Sequence, residues 1–171
     1  LTDSRYTLQA QEEVIDNGFE VIKTSDSPLH QIKELLDSKH VKSLAIEDLS
    51  VSLNLYKKLS EIFKDIKLVQ ITDKLLKLRT IKDKSEIINI RRAASIADQS
   101  FTEILKFIKD GITEKQIANK LEYKMLKHGA ESKSFNTIVA SGIRSSLPHG
   151  VASNKIIERN EFITLDFGCF Y

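Results

Sequence analysis

Short strand-like runs alternate with helical ones over the first half of the chain, and this alternation constrains the fold more than any other feature. The run FEVIK at residues 19–23 predicts a strand, and LHQIKELLDSK carries apolar residues at helical spacing. SLAIED then predicts a strand, SVSLNLYKKLSEIF a helix and IKLVQIT a further strand, with turns at Asn17 and Asp26. Units of this kind predict a largely parallel sheet covered by helices. The inward face of SVSLNLYKKLSEIF should comprise Leu55, Leu59 and Ile62.

The pattern then changes to a long amphipathic helix in DKSEIINIRRAASIADQSFTEILKFIKDG. Asp83 is a predicted N-cap, Glu86 three residues later completes a capping box, and Gly111 is expected to end the helix. The change of pattern predicts two domains, residues 1–78 and residues 79–171. The stripe expected to face the core comprises Ile87, Ile90, Ala94, Ala97, Phe101, Ile104 and Ile108.

A second helix follows directly, with Thr113 and Gln116 as another capping-box pair. Ile117 and Leu121 are expected to face inward, and Gly129 to stop the helix. Neither helix carries an obvious catalytic residue. Their charged faces are therefore predicted to be solvated surface.

The carboxy-terminal segment is predicted to be rich in β-structure. FNTIVASG predicts a strand, IRSSLPHGVAS an irregular loop, and KIIERNEFITLDFG two strands joined by a tight turn around Arg159 and Asn160. In the last strand, alternation divides the side chains between two faces. One face should carry Ile163, Leu165 and Phe167, and the other Phe162, Thr164 and Asp166.

Two residues of this segment are candidates for chemistry. His149 lies between Pro148 and Gly150, where the backbone can present a side chain at a fixed angle. Asp166 lies in an apolar run, where burial of a carboxylate is costly unless a hydrogen bond or a cation meets it. The alternatives are a hydrogen-bonded loop histidine and an aspartate that caps a loop. The remaining histidines are predicted surface residues: His30, His40 and His128.

The composition excludes several classes of partner. With 26 basic and 24 acidic residues the net charge is only +2, which gives no basis for nucleic-acid binding. No apolar stretch approaches the roughly 18 residues of a membrane span. The single cysteine, Cys169, is predicted to be a buried strand thiol, and it favours a reducing, cytoplasmic location. Since Leu1 rather than methionine opens the sequence, the chain is expected to be a piece of a longer protein.

Three segments resemble the proline-specific metallopeptidases, Xaa-Pro aminopeptidase and Xaa-Pro dipeptidase. FNTIVASGIRSSLPHGVASNKIIERNEFITLDFGCFY resembles the start of their catalytic domain, and the pairing of SGIRSSLPHG with LDFG is its most specific part. LTDSRYTLQAQEE resembles the middle of the amino-terminal domain that these enzymes share with creatinase. LRTIKDKSEIINIRRAASIAD resembles their interdomain junction and first long helix.

This resemblance implies fold class α/β (α+β), with a creatinase-like amino-terminal domain followed by the first part of a pita-bread catalytic domain. It implies a centre of two divalent metal ions, manganese first and cobalt or zinc otherwise, in the full-length protein. Asp166 matches the first metal-binding aspartate, and His149 matches the catalytic histidine that contacts substrate. The other four ligands would lie outside this chain, so the chain alone is expected to be inactive.

The implied activity is hydrolysis of Xaa-Pro bonds in peptides with proline in the second position, by an aminopeptidase or a dipeptidase that forms a homodimer. Two alternatives remain open at this point. One is a non-catalytic pita-bread module that binds a peptide or protein, and the other is a creatinase-like hydrolase that works without metal.

Overall fold

The structure, a computed structural model, describes residues 1–14, 18–24 and 27–171. Its contacts divide the chain into two compact units, Leu1–Ile81 and Lys82–Tyr171. None of the helices in the described residues is long and apolar enough to span a bilayer.

The first unit contains four helices and a pair of parallel strands within the described residues. The strands pair from Ser43 opposite Lys67 to Ile46 opposite Gln70, which confirms the predicted parallel arrangement. The helix before the first strand and the helix between the strands are also confirmed. The elements in chain order are α1 (Thr7–Val14), α2 (Pro28–Ser38), β1 (Ser43–Ile46), α3 (Leu53–Ile62), β2 (Lys67–Gln70) and α4 (Thr72–Thr80).

The core of this unit lies where α2 and α3 meet the parallel strands. Leu59 in α3 is buried as predicted, and Ile62 packs against the same cluster. Leu55, in contrast, is 38% exposed, so its predicted inward position is wrong. The buried cluster comprises Ile46, Leu59, Phe63 and Ile66.

The first predicted strand, residues 19–23, is not formed. Lys23 makes only an isolated parallel bridge with Thr2, supported by hydrogen bonds from the Thr2 amide to the Ile22 carbonyl at 3.0 Å and from the Thr24 amide to the Thr2 carbonyl at 2.7 Å. A single bridge does not extend into a strand because no further residue of the run has a ladder partner in the described chain. The turns predicted at Asn17 and Asp26 lie outside the described residues.

The second unit combines two long helices with two antiparallel strand pairs. Both predicted capping boxes are confirmed, since Asp83 accepts from the Glu86 amide at 2.9 Å and Thr113 accepts from the Gln116 amide at 3.1 Å. The elements are α5 (Lys84–Ile104), α6 (Glu114–Lys127), β3 (Ser132–Lys133), β4 (Ile138–Ser141), a 3₁₀ helix (Gly142–Ser146), β5 (Ile163–Asp166) and β6 (Cys169–Phe170).

The long helix α5 differs from the prediction in its length and in its buried face. It ends at Ile104, seven positions before Gly111. Of the predicted stripe, Ile104 is buried, whereas Ile87, Ile90 and Phe101 are exposed. The other buried residues of the helix are Ile96 and Ser100. The helix carries apolar residues on two sides, and α6 and β6 pack against the side that contains Ala93 and Ile96.

The core of this unit lies between α6 and the β4–β5 pair. Ile117 and Leu121 face inward as predicted, and both are fully buried. The apolar face predicted for the last strand is also confirmed, because its three residues pack against this cluster. Those residues are Ile163, Leu165 and Phe167. The buried cluster itself comprises Ile104, Ile117, Ala118, Leu121, Val139 and Ile157.

Of the two strands predicted on either side of the tight turn, only the second is formed. Strand β5 pairs antiparallel with β4, from Ile138 opposite Asp166 to Ser141 opposite Ile163. The segment before the turn makes only an isolated bridge, between Ile156 and Thr113. The turn itself is present, with Asn160 at φ 63°, but it joins β5 to a loop rather than to a partner strand.

The cap of α6 gives a direct test of this local structure. Replacing Thr113 by alanine removes the side-chain acceptor of the Gln116 amide and is expected to lower the free energy of unfolding by about 1 kcal/mol. Chemical denaturation measures the change. Thr102→Ala is the matched control, since this exposed threonine lies inside α5 and caps nothing. A loss of the same size in both variants would contradict the capping role.

Candidate functional site

Strand β4 brings the two candidate residues into one region. Ile138 pairs with Asp166 on one side and forms an isolated antiparallel bridge with Val151 on the other. Because neighbouring strands lie about 4.8 Å apart, the backbones of Asp166 and Val151 are roughly 10 Å apart across Ile138. His149 precedes Val151 by two residues.

The segment 142–153, which we name the His149 loop, lies over the face of the β4–β5 pair that carries Asp166. Ala140 pairs with Thr164, and alternation places both side chains on the Asp166 face. A Cβ atom added at Gly150 would come within 2.8 Å of the Ala140 Cβ, so the loop backbone rests on this face. The Thr164 hydroxyl also donates to the Ser145 carbonyl at 3.2 Å.

Both candidate side chains are exposed within the described chain. Asp166 is exposed because the apolar neighbours of the run turn to the opposite face, as the alternation predicted. In the part of the chain that the structure describes, no hydrogen bond or ion pair engages the Asp166 carboxylate or the His149 ring. Both groups are thus available to a ligand.

Across residues 1–14, 18–24 and 27–171, no three histidine, cysteine, aspartate or glutamate side chains cluster so that they could hold a metal ion. Asp166 supplies a single carboxylate. Oxygen donors of this kind suit hard divalent cations, so the residue fits the chemistry of a ligand without forming a site by itself.

A second carboxylate, Glu114, lies beneath the His149 loop and is fully buried. Its Oε1 accepts from the Ser141 amide at 2.8 Å and the Ser141 hydroxyl at 3.0 Å. Its Oε2 accepts from the Ser153 amide at 3.0 Å and the Ser153 hydroxyl at 2.6 Å. The Arg144 Nε donates to both oxygens, at 3.3 and 3.1 Å. We name these four residues the Glu114 network.

Arg144 connects this network to the residues around His149. Its Nη2 donates to the Val151 carbonyl at 2.9 Å, and its own carbonyl accepts from the Leu147 amide at 3.0 Å. The Gly150 amide donates to the Leu147 carbonyl at 3.2 Å. After His149, the backbone is therefore held at Val151 by the Arg144 guanidinium. Before His149, it is held at Leu147 by the Arg144 carbonyl.

A second ion pair adjoins the network. The Lys155 Nζ lies 2.7 Å from both oxygens of Glu161 and donates to the Ser141 hydroxyl at 3.1 Å. The bond from Lys155 holds the pKa of the Glu161 carboxyl below its ordinary range. Gly142 is required here, because its φ is +56° and an added Cβ would lie 2.1 Å from the Glu161 Oε1.

The electrostatics of Glu114 are set by two opposing effects. Burial, the largest single influence, acts to raise the pKa of the carboxyl, but the hydrogen bonds from Ser153 and Ser141 together outweigh it. The pKa therefore lies below its ordinary value of 4.5. Glu114 is consequently ionised in the folded chain near neutral pH.

This lowered pKa predicts an acid-dependent loss of stability. A carboxyl whose pKa is lower in the folded than in the unfolded chain stabilises the fold above its ordinary value of 4.5, and that stabilisation disappears as the pH falls through the lower folded pKa. Glu114→Gln should therefore lower the melting temperature of the metal-free protein at pH 7, with a difference from wild type that narrows below pH 4.5. Glu131→Gln, at an exposed position, should show no such difference. A difference in melting temperature between Glu114→Gln and wild type that stays constant with pH would contradict the prediction.

Sequence reasoning missed Glu114, because the charged residues of both helices were predicted to be solvated. One signal was available. Glu114 precedes Ile117 by three residues and Leu121 by seven, so helical periodicity places it on the buried face of α6. His128 also departs from its predicted surface position, since it is half-buried and its Nε2 lies 3.0 Å from the Glu103 Oε1.

Cys169 agrees with its predicted structural role. It lies half-buried on β6, and its thiol donates to the Ala93 carbonyl at 3.6 Å. Burial raises the pKa of this thiol, which disfavours the reactive thiolate.

Two family models match the chain, one in each half. Residues 1–81 match the model of the creatinase/prolidase N-terminal domain, and residues 88–171 match the model of metallopeptidase family M24. Among curated proteins, the chain is 45% identical over 171 residues to an uncharacterized peptidase of Bacillus subtilis, of which it covers 48%. It is 40% identical over 141 residues, or 82% of its length, to the Xaa-Pro dipeptidase of Pyrococcus furiosus, of which it covers 40%.

Solved structures agree with this result. The chain superposes on the X-Pro aminopeptidase of Thermotoga maritima with a TM-score of 0.89 and 43% identity, over 99% of this chain and 48% of that one. It superposes on the Xaa-Pro dipeptidase of Bacillus anthracis with a TM-score of 0.92 and 39% identity, over 99% of this chain and 47% of that one. The chain thus spans about half the length, or less, of the relatives it matches.

Proposed function

Because the chain belongs to metallopeptidase family M24 and carries a creatinase/prolidase N-terminal domain, we propose that the full-length protein hydrolyses Xaa-Pro peptide bonds. The observation that carries the proposal is the arrangement at β4, where the His149 loop and Asp166 share one face of the strand pair. The relatives include an Xaa-Pro dipeptidase and an X-Pro aminopeptidase. Both names specify a bond to proline, which supports the proposed specificity.

Asp166 is the proposed metal ligand of this chain. Its carboxylate is exposed and takes part in no hydrogen bond or ion pair among the described residues, so it can meet a cation without breaking an existing contact. A pair of divalent ions would supply Lewis acidity and an activated water at neutral pH. Manganese is the proposed metal, and cobalt and zinc are the alternatives. The remaining ligands would come from sequence beyond the described residues.

His149 is the proposed catalytic residue that contacts the substrate. Its ring is exposed and takes no part in a hydrogen bond or ion pair among the residues described, which leaves both nitrogens available to the reacting peptide group. A group in this position assists only when it is oriented before the reaction, since the stabilisation of developing charge depends on preorganised donors. The tightly hydrogen-bonded backbone on either side of His149 supplies such orientation.

The proposal extends to assembly and location. A homodimer with peptide substrates that carry proline in the second position is the form we expect for the full-length protein. A cytoplasmic location is consistent with a single cysteine that takes part in no disulfide.

The test uses purified full-length protein, stripped of metal and reloaded separately with Mn²⁺, Co²⁺ or Zn²⁺. Ala-Pro and a longer Ala-Pro peptide are the substrates, and Ala-Ala is the control peptide. We expect metal-dependent cleavage of the proline peptides, fastest with Mn²⁺, and no comparable cleavage of Ala-Ala. The ratio of rates on the two proline peptides distinguishes a dipeptidase from an aminopeptidase. The 171-residue chain alone should cleave neither, because it offers one carboxylate ligand.

Two outcomes would overturn the proposal. Binding of Xaa-Pro peptides without cleavage under every metal condition would indicate a non-catalytic binding module. Hydrolysis of creatine by metal-free protein would indicate a creatinase-like enzyme.

A further inference from the structure

We propose that Glu114 is a positioning residue that acts through His149: it holds both ends of the His149 loop and thereby sets His149 over the Asp166 face of β4 and β5. The contribution of this positioning to catalysis rests on the function proposed above. The geometry of the Glu114 network supports the role independently of that function.

The two oxygens of Glu114 bind opposite ends of the loop. Oε1 accepts both donors of Ser141, which directly precedes the loop, at 2.8 and 3.0 Å. Oε2 accepts both donors of Ser153, the last loop residue, at 3.0 and 2.6 Å. One side chain thus closes a segment of 12 residues, and charge-assisted bonds of this kind are about twice as strong as neutral ones.

Apart from Gly150, which rests on Ala140, and Ala152, which packs against the core cluster, apolar burial contributes little order within the loop. Its largest apolar residues are exposed, with Ile143 at 88%, Leu147 at 46% and Val151 at 52%. Polar contacts therefore hold the loop in place, and the network supplies the contacts at its two ends. Loss of the Glu114 charge would remove the one side chain that binds both ends and leave backbone bonds there, from the Gly142 amide to the Phe162 carbonyl and from the Lys115 amide to the Ser153 carbonyl, both at 3.0 Å.

The network also fixes the loop to a rigid base. Glu114 is the first residue of α6, whose inner residues Ile117 and Leu121 are fully buried in the core. A buried ion pair is often no more stabilising than apolar residues of similar volume. A repacked apolar core could therefore give comparable stability here, whereas only an acceptor such as the Glu114 carboxylate can bind the Ser141 and Ser153 donors at the two ends of the loop.

The experiment combines Glu114→Gln with His149→Ala in the full-length protein, and it measures kcat, KM, metal content and melting temperature. Glu114→Gln is expected to lower kcat on Ala-Pro roughly 10- to 100-fold, because small misplacements of a catalytic group have effects of this size. Metal content should stay unchanged. In the His149→Ala background, Glu114→Gln should change kcat by less than about twofold, since a residue that acts through His149 has no further effect once His149 is absent.

Glu103→Gln is the matched control. Glu103 is also a helical carboxylate with basic partners, Lys124 and His128, and none of its contacts among the described residues reaches the His149 loop. This variant should lower the melting temperature and leave kcat within about twofold of wild type. A Glu114→Gln effect on kcat that is equally large in the presence and absence of His149 would overturn the proposal.

A spectroscopic arm separates this proposal from the proposed function. In protein with ¹³C-labelled histidine, the His149 resonance is identified by its disappearance in His149→Ala. Glu114→Gln should shift and broaden that resonance, whereas Glu103→Gln should shift the His128 resonance instead. An inactive wild-type protein in which Glu114→Gln still moves His149 would refute the enzyme but keep the positioning role. An unmoved His149 resonance would refute the positioning role.

A second variant covers the case in which Glu114→Gln does not fold. Ser153→Ala removes the 2.6 Å bond to the Glu114 Oε2 but keeps the backbone bond from the Ser153 amide. It should produce a smaller loss of kcat that likewise disappears in the His149→Ala background. A Ser153→Ala protein with wild-type kcat and an unmoved His149 resonance would contradict the proposal.

Discussion

Replacing Asp166 by asparagine is expected to abolish metal binding at that ligand and to lower Xaa-Pro hydrolysis by the full-length protein more than about 100-fold. Loss of an outer-shell partner of a metal ligand already costs about 10- to 100-fold, and loss of a ligand itself should cost more. An amide keeps the shape of the side chain but removes the charge that a hard divalent cation prefers. Elemental analysis of the purified variant and initial rates on Ala-Pro measure the two effects.

The control for this variant is Asp98→Asn. Asp98 is exposed on α5, and its side chain makes no hydrogen bond or ion pair with the described residues. Its replacement is expected to leave metal content and rate unchanged. Full metal content and a wild-type rate in Asp166→Asn would refute the proposed role of Asp166, and with it the main support for a metallopeptidase site in this chain.

The second large effect concerns stability rather than activity. Replacing Leu121 by alanine is expected to lower the free energy of unfolding by about 2–5 kcal/mol, since the change leaves a cavity in the core as well as removing buried apolar surface. Leu121 is fully buried and belongs to the cluster with Ile117 and Val139. Denaturation in urea with a probe in the second unit measures the change.

Leu126→Ala provides a matched control on the same helix. Leu126 is 51% exposed, so its truncation should change the free energy of unfolding by no more than about 0.5 kcal/mol. Equal losses at the two positions would show that α6 does not bury the face described above.

The features that could be predicted from the sequence depend on residues close together in the chain. The two capping boxes involve pairs three residues apart, Asp83 with Glu86 and Thr113 with Gln116. The division of β5 into an apolar and an exposed face follows from strict alternation within one strand. In each case, the residues that give the sequence pattern and those that form the structure lie within one helical turn or one strand.

The features that could not be predicted depend on choices between distant partners. Helix α5 has apolar residues on two sides, and only its packing against α6 and β6 decides that Ile96 and Ser100 are buried. Likewise β5 could pair with the preceding segment through a tight turn, but its ladder is formed with β4. Periodicity identifies an apolar face or a strand without identifying what lies opposite.

The Glu114 network combines both situations. Periodicity places Glu114 on the buried face of α6, so its burial could have been predicted. Its partners Ser141 and Ser153 are 27 and 39 residues away, and no local pattern identifies them. The resemblance to a family made His149 and Asp166 candidates by their motifs, whereas the contacts between Glu114 and the ends of the His149 loop are visible only in three dimensions.

Attachment of the His149 loop at both ends has a consequence for redesign of the protein. Since Ser141 and Ser153 bind the same carboxylate, an insertion or deletion between them cannot be absorbed by sliding of either end. Variant libraries that aim at new substrate preferences should therefore keep the length of this segment constant. They should diversify its solvent-facing positions, of which Ile143 and Leu147 are the largest, rather than graft longer or shorter segments.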